Sequence, residues 1–303
     1  MTAISTSRTA RRSATGRTVR RPRTSPAALL FLGVLVVYFL TPLWWLVVAS
    51  SKNVQGLFGG TGGALWFDRT IDWVGNVRGL FTYSDGIYFQ WIGNSAFYAI
   101  AGGLGATAVA VLAGYGFAKF EFPGRNVTFA LLLGSVMVPL TALVIPTFIL
   151  FSNVGLTDTI WAVILPSFLS PFGVYLMRVY IADAVPSELM QAARVDGASE
   201  ARVFFSVALP LMRPAIVTVL LLSVVANWNN YFLPLAMLNN SRLFPVTVGI
   251  GLWQSLASSN NGGGTSLWNL IIAGALVSVI PLIAAFLGLQ RYWQGGLSLG
   301  SLK

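Results

Sequence analysis

The sequence predicts an all-α, polytopic membrane protein: six transmembrane helices, with a two-helix corner between the fourth and the fifth. Three observations carry that prediction. Hydrophobic residues make up 55% of the 303 and charged residues only 9%, whereas soluble domains carry about 25% charge; mean hydropathy is +0.73. The apolar residues gather into runs near the roughly 20 residues that a bilayer demands of a helix. All nine acids (Asp68, Asp72, Asp85, Glu121, Asp158, Asp183, Glu188, Asp196 and Glu200) fall outside those runs.

Residues 1–26 hold seven arginines and no acid among many Ser and Thr. This composition predicts a disordered basic cytoplasmic tail that touches anionic membrane lipid. Arg11-Arg12 and Arg20-Arg21 invite a twin-arginine export reading. The following apolar run is too long for a signal h-region and lacks a convincing cleavage site. Residues 27–91 read as the first span and an outer loop, and residues 92–303 as a five-span core carrying the polar stretch 183–214. The expected spans are 27–49, 92–118, 127–151, 159–177, 212–237 and 267–289. An even number places both termini on one side. With the N-terminus inside, fifteen of the 19 basic residues are cytoplasmic, and only Lys52, Arg69, Arg78 and Arg242 lie outside. The positive-inside rule therefore puts 183–214 in the cytoplasm and makes this a multi-pass protein of the cytoplasmic membrane with both termini cytoplasmic. Seven of the 14 prolines (Pro42, Pro139, Pro146, Pro166, Pro171, Pro234 and Pro281) fall within spans and predict kinked helices.

Several chemistries are excluded. The chain has no Cys and no His, so thiol chemistry, disulfides and histidine metal sites are absent, and no metal site is expected. The net charge of +10 is concentrated in the tail and cytoplasmic segments, which argues for membrane lipid and against nucleic acid. With no acid at membrane depth there is no proton relay, although sodium coupling through carbonyls and hydroxyls stays open. A P-loop needs Gly-Lys-Ser/Thr, and Lys52, Lys119 and Lys303 follow Ser, Ala and Leu. The chain is thus not an ATPase. Any ATP hydrolysis that drives it belongs to a separate subunit.

The polar stretch is the most informative. Pro186 fits a helix start, with Ser187 or its neighbour as cap. Helix then runs through Glu188, Gln191, Ala192 and Ala193 to Asp196-Gly197, where glycine supplies a left-handed stop. Ser199 can cap a second helix whose apolar face is Val203, Phe204, Val207 and Ala208. The product is a tight knob fit for a cleft on a partner, or an ordinary linker between spans. The run Ala192-Ala193, Asp196-Gly197, Val207, Leu209-Pro210 resembles the EAA loop of binding-protein-dependent ABC importer permeases. That family's leading Glu is Gln191 here, which replaces a possible ion pair by an amide hydrogen bond. The Pro171-Phe172-Gly173 run, Trp228-Asn229, and Gln290-Arg291-Tyr292-Trp293 with Gly296-Leu297 and Gly300 are similar to the carbohydrate (maltose-type) subgroup. The resemblance implies an ATP-driven importer of a sugar or oligosaccharide. Its parts would be a second permease subunit, two ATP-binding subunits that carry ATP and Mg, and an extracytoplasmic substrate-binding protein. This chain would bind no cofactor of its own. A stand-alone sodium-coupled or facilitative carrier, and a scaffold without transport, remain alternatives.

Two further segments are candidates. In permeases of this type the region after the fifth span looks like the loop that meets the binding protein; here it offers Phe244, Pro245, Gly249 and Trp253. Gly and aromatic residues also crowd 50–91 (Phe58, Trp66, Phe67, Trp73, Phe81, Tyr83), most simply as interfacial anchors. Within the fifth span, Asn227, Asn230 and Tyr231 fall at i, i+3 and i+4 on one expected helical face, with Ser223 one turn below and Trp228 beside them. Amides at that depth either glue helices together or bond sugar hydroxyls, with Tyr231 or Trp228 as a ring to stack on.

Overall fold

A computed structural model describes residues 25–259 and 267–297, with side chains as far as residue 288. The arginine tail before residue 25, the Asn261-Gly262-Gly263-Gly264 run, Gly300 and the side chains of Gln290-Arg291-Tyr292-Trp293 lie outside that description. Helices α1 to α7 span Pro26–Ser50, Val54–Gly59, Trp73–Thr82, Ile87–Lys119, Arg125–Ser135, Val144–Asn153 and Trp161–Ser167. Helices α8 to α14 span Pro171–Ala184, Ser187–Val195, Glu200–Arg202, Leu209–Trp228, Phe232–Met237, Val246–Ser259 and Trp268–Leu297. Among the described residues five stretches are long and apolar enough to cross a membrane, and a sixth is a bent pair.

By its contacts the chain divides into two units, one ending at Trp44 and one running from Trp45. The described part of the first is most of α1, apolar on every side and exposed nearly throughout, as a helix facing lipid must be.

The second unit is built on α4, a helix of 33 residues. Gly102, Ala106, Ala110 and Gly114 recur every fourth residue along it, and all four are buried. Lipid tails are as apolar as leucine, so helices in a membrane associate by close backbone approach over small side chains. That is what this row provides to α8 and α11. A Cβ on the adjacent Gly103 would stand 2.6 Å from Val224 Cγ2, and one on Gly114 would stand 2.5 Å from Met177 Cβ. Two apolar clusters share α4. One, near its start, gathers Leu80, Tyr88, Trp91, Tyr98, Val163, Met237 and Trp253; the other, near its end, gathers Tyr115, Met177, Ile181, Met190, Val203, Phe204 and Met212.

Pro139 and Pro171 mark two helix breaks, whereas Pro42 and Pro281 lie inside unbroken helices. The expected third span, 127–151, is the bent pair: α5 and the segment Leu140–Asn153 meet at 98°. Pro139 disfavours helical backbone at Val138, and the N–H groups of Val136, Met137 and Val138 turn back three residues to Leu133, Gly134 and Ser135. The expected fourth span is two helices in tandem. Pro171 opens α8 at a position that needs no N–H, and the Ser170 hydroxyl accepts from the Gly173 N–H at 3.2 Å.

The fifth span differs most from expectation. From Glu200 to Trp228 the chain is one continuous helical stretch of 29 residues, so the second arm of the corner is the beginning of the span. Between α10 and α11, Val203–Ala208 form a π-helical segment, with the Leu209 N–H bonded to the Phe204 carbonyl. Pro210 cannot donate and crowds the carbonyl four residues earlier. A wider turn just before it relieves that conflict. At the far end α11 stops at Trp228, nine residues before the expected limit at Met237.

Candidate functional site

The corner is built from its turn outward. Gly197 has φ +82°, in the left-handed region that glycine enters without penalty. The Gly197 N–H donates to the Arg194 carbonyl and the Ala198 N–H to the Ala193 carbonyl, each at 3.0 Å. This pair of bonds is a Schellman motif, and its usual apolar contact joins Ala193 to Ala198. Both alanines pack against the cluster of Met190, Val203 and Phe204. Ser199 caps α10 as expected, its hydroxyl accepting from the Arg202 N–H at 3.4 Å. The expected serine cap on α9 does not form: Pro186 is the N-cap and no side chain bonds the free N–H groups. Across the turn, Arg194 grips Glu200 with two bonds, Nε–Oε1 at 2.6 Å and Nη2–Oε2 at 3.1 Å. That hydrogen bond, with the carboxylate charge, raises the Arg194 guanidinium further above its ordinary value.

Of the predicted corner residues, Glu188, Gln191, Ala192, Asp196 and Gly197 are exposed, whereas Ala193, Leu209 and Pro210 are partly covered. The structure adds residues that the motif does not mark. Val195 is 87% exposed, and Leu189 and Phe205 are exposed as well. Exposed aliphatic and aromatic side chains at the tip of a polar corner are what a protein cleft covers. Lys119, the last residue of α4, donates its Nζ to the Val185 carbonyl and so ties the end of α8 just ahead of α9.

At the far end of α11 the structure corrects the expected helical face. Because the helix ends at Trp228, Asn230 and Tyr231 lie beyond it and share no helical face with Asn227. Asn227 points at α4: a Cβ on Gly102 would stand 2.6 Å from its Nδ2, with Ser167 of α7 close by. Asn230 accepts from the Thr247 hydroxyl through its backbone carbonyl at 2.8 Å. Tyr231 lies against Gly251 of α13. Trp228 is buried, so its ring is not offered to a ligand. Asn229 turns back on its own helix, bonding the Val225 carbonyl at 2.9 Å.

The segment after α12 is also corrected. Phe244, Pro245, Gly249 and Trp253 are all buried, so they face the core of this chain and not its surface. Gly249 is required by close approach, because a Cβ there would enter the Trp91 ring. Trp253 packs on Tyr83, Tyr88 and Trp91, the last at 4.8 Å between ring centroids. Four residues on one face of α4 clasp the backbone of this segment. Trp91 Nε1 donates to the Ser241 carbonyl at 2.7 Å, and Asn94 Nδ2 to those of Arg242 and Phe244 at 2.8 and 3.0 Å. The Tyr98 hydroxyl donates to the Leu243 carbonyl at 2.9 Å, and the Ser95 hydroxyl accepts from the Val246 N–H at 2.8 Å. Asp158 (φ +59°) completes the clasp, Oδ1 accepting from the Asn239 and Asn240 N–H groups at 2.8 and 2.9 Å. The exposed side of α13 is Leu252, Gln254, Ser255 and Leu256. The spacing of 91, 94, 95 and 98 marks one helical face, but nothing in the sequence says that its partner is backbone.

Residues 106–297 match a family model described as the binding-protein-dependent transport system inner membrane component. The arabinooligosaccharides transport system permease protein AraQ of Halalkalibacterium halodurans is 34% identical over 285 residues, which is 93% of this chain and 99% of the relative. The lactose transport system permease protein LacG of Rhizobium radiobacter is 31% identical, over 86% of this chain and 90% of its own. A crystal structure of a bacterial ABC transporter involved in importing the acidic polysaccharide alginate contains a similar fold. It aligns with TM-score 0.74 and 22% identity over 90% of this chain and 100% of its own.

Proposed function

Because this chain belongs to the family of binding-protein-dependent transport system inner membrane components, and is a permease subunit of an ABC importer, we propose that it carries a sugar or oligosaccharide. The relatives named for arabinooligosaccharides and lactose support that substrate class. Family membership removes the stand-alone carrier from consideration.

In this reading the corner lies in the cytoplasm, where the excess of Arg and Lys directs it, and both termini lie on the same side. It docks on one of two ATP-binding subunits. These carry ATP and Mg, so this chain binds no cofactor. A second permease subunit covers the rest of the path, and an extracytoplasmic substrate-binding protein delivers the sugar to the opposite end. There the exposed side of α13, held from beneath by Trp91, Asn94, Tyr98 and Asp158, is the contact surface. The buried Phe244, Pro245, Gly249 and Trp253 set its position. Asn227, next to Gly102 where α4, α7 and α11 meet, is the polar group best placed to line the path.

The observation that carries the reading is the corner itself, a rigid knob with exposed Val195 and Leu189 at its tip. Co-expression with an ATP-binding subunit and a second permease subunit of a sugar importer of this family should give a stable complex. In proteoliposomes a sugar-loaded binding protein should stimulate its ATP hydrolysis. A chain that purifies without any ATPase under those conditions would sink the proposal.

A further inference from the structure

Tyr115 lies near the end of α4, one helical turn before Lys119. Its side chain is only 6% exposed, and its hydroxyl has no hydrogen-bond partner among the described residues. A buried polar group left unpaired costs about 1–3 kcal/mol, so an idle hydroxyl here calls for a reason. Phenylalanine would fill the same space without that cost.

The surroundings supply one. The Tyr115 ring packs edge-on against Phe204, centroids 4.9 Å apart. Phe204 follows Glu200 by four residues, so the two share a side of the helix that leads into the span. The Tyr115 ring therefore packs on the side of the helix that carries Glu200, whose ion pair with Arg194 clips the corner shut. Glu200 is at present held by Arg194, and both are exposed, at 54% and 39%. A partner docked on the corner with acidic groups of its own would compete for Arg194. Glu200 would then be released on the side of the helix against which a preformed donor packs.

We propose that Tyr115 is a positioning residue for energy coupling: when a docked partner draws Arg194 away, its hydroxyl donates to the freed Glu200 carboxylate and holds the corner against α4. This rests on the reading of the corner as an ATPase dock. A hydroxyl–carboxylate bond is charge-assisted and among the stronger side-chain bonds. It would transfer the hold on the second arm from a solvent-exposed clip to the membrane bundle.

The test is Tyr115→Phe in the assembled transporter, which removes no hydrogen bond present in this structure. The expected result is normal assembly and basal ATP hydrolysis, with stimulated hydrolysis and uptake lowered about tenfold, the scale of one charge-assisted bond. In a Glu200→Ala background the same change should have no further effect, whereas an effect through packing would remain. In an Arg194→Ala background, where Glu200 has no other partner, it should weaken uptake at least as much as in the parent. Parental uptake by Tyr115→Phe, or equal losses with and without Glu200, would overturn the proposal. Failure of the parent chain to bind any ATPase would instead count against the dock.

Discussion

Two glycines show how one residue type answers opposite demands. Gly197 has nothing within 4 Å of where a Cβ would stand, but its φ of +82° belongs to the left-handed region. Gly249 has no such conformation and no room. At Gly197 a valine resists the backbone by about 1 kcal/mol or more, so Gly197→Val should keep the complex assembled while ATP hydrolysis runs uncoupled from uptake. Substrate-stimulated hydrolysis and uptake at parental levels would mean that the corner is only a linker. Asparagine tolerates the left-handed region better, and Gly197→Asn should be milder in the same assay. At Gly249 the obstacle is the Trp91 ring, and overpacking of this kind costs about 1–3 kcal/mol. Gly249→Val should therefore lower the melting temperature in detergent and the yield of folded protein. Gly197 was legible in the sequence because a cap, a stop and a second cap surround it. Gly249 was not, since no local pattern shows which ring lies across the gap.

At the scale of elements, the sequence disclosed where apolar helices lie and concealed how they bend. Four of the six spans appear near their expected positions, because about 20 apolar residues can do little else in lipid. The 98° bend in the third escaped because Pro139 in an apolar run reads as a kink, and its sharpness depends on three N–H groups finding bonds behind them. The end of the fifth at Trp228 was hidden by the apolar residues of α12, which prolong the run beyond the helix. The small-residue row of α4 was present in the sequence, but only packing shows that it is a seam. Gly114→Leu should push α8 off that seam and sharply reduce recovery of intact complex in detergent, whereas Gly116→Leu, on the open side of the helix, should not. Asn230 holds Thr247 by its carbonyl, so Asn230→Ala should assemble normally. Weakened or altered uptake by that variant would mark its amide as part of the path; lost assembly would mark it as helix glue.

At the scale of the whole molecule, the asymmetry of Arg and Lys predicts that a reporter fused after Arg202 senses the cytoplasm and one fused near Asn261 senses the outside. The opposite result would remove the cytoplasmic dock, the outer contact surface on α13 and the charge argument together. The helical stretch from Glu200 to Trp228 is long and apolar enough to cross a membrane, and its π-helical segment then takes on an angular meaning. Such a segment holds one residue more than the α-helix it interrupts, and one residue is worth about 100° of rotation. Removing Ser206 would take out that extra residue, restore an unbroken α-helix and leave Glu200 on nearly its present bearing relative to the later residues of the span. Removing Leu222 from the α-helical part would instead swing Glu200 through more than a quarter turn relative to Asn227. The first shortened chain should insert, accumulate and keep its uptake, whereas the second should present the corner on the wrong bearing and lose it. The π-helical turn thus lets this stretch hold one residue more than an α-helix would while keeping the phase between the corner and Asn227.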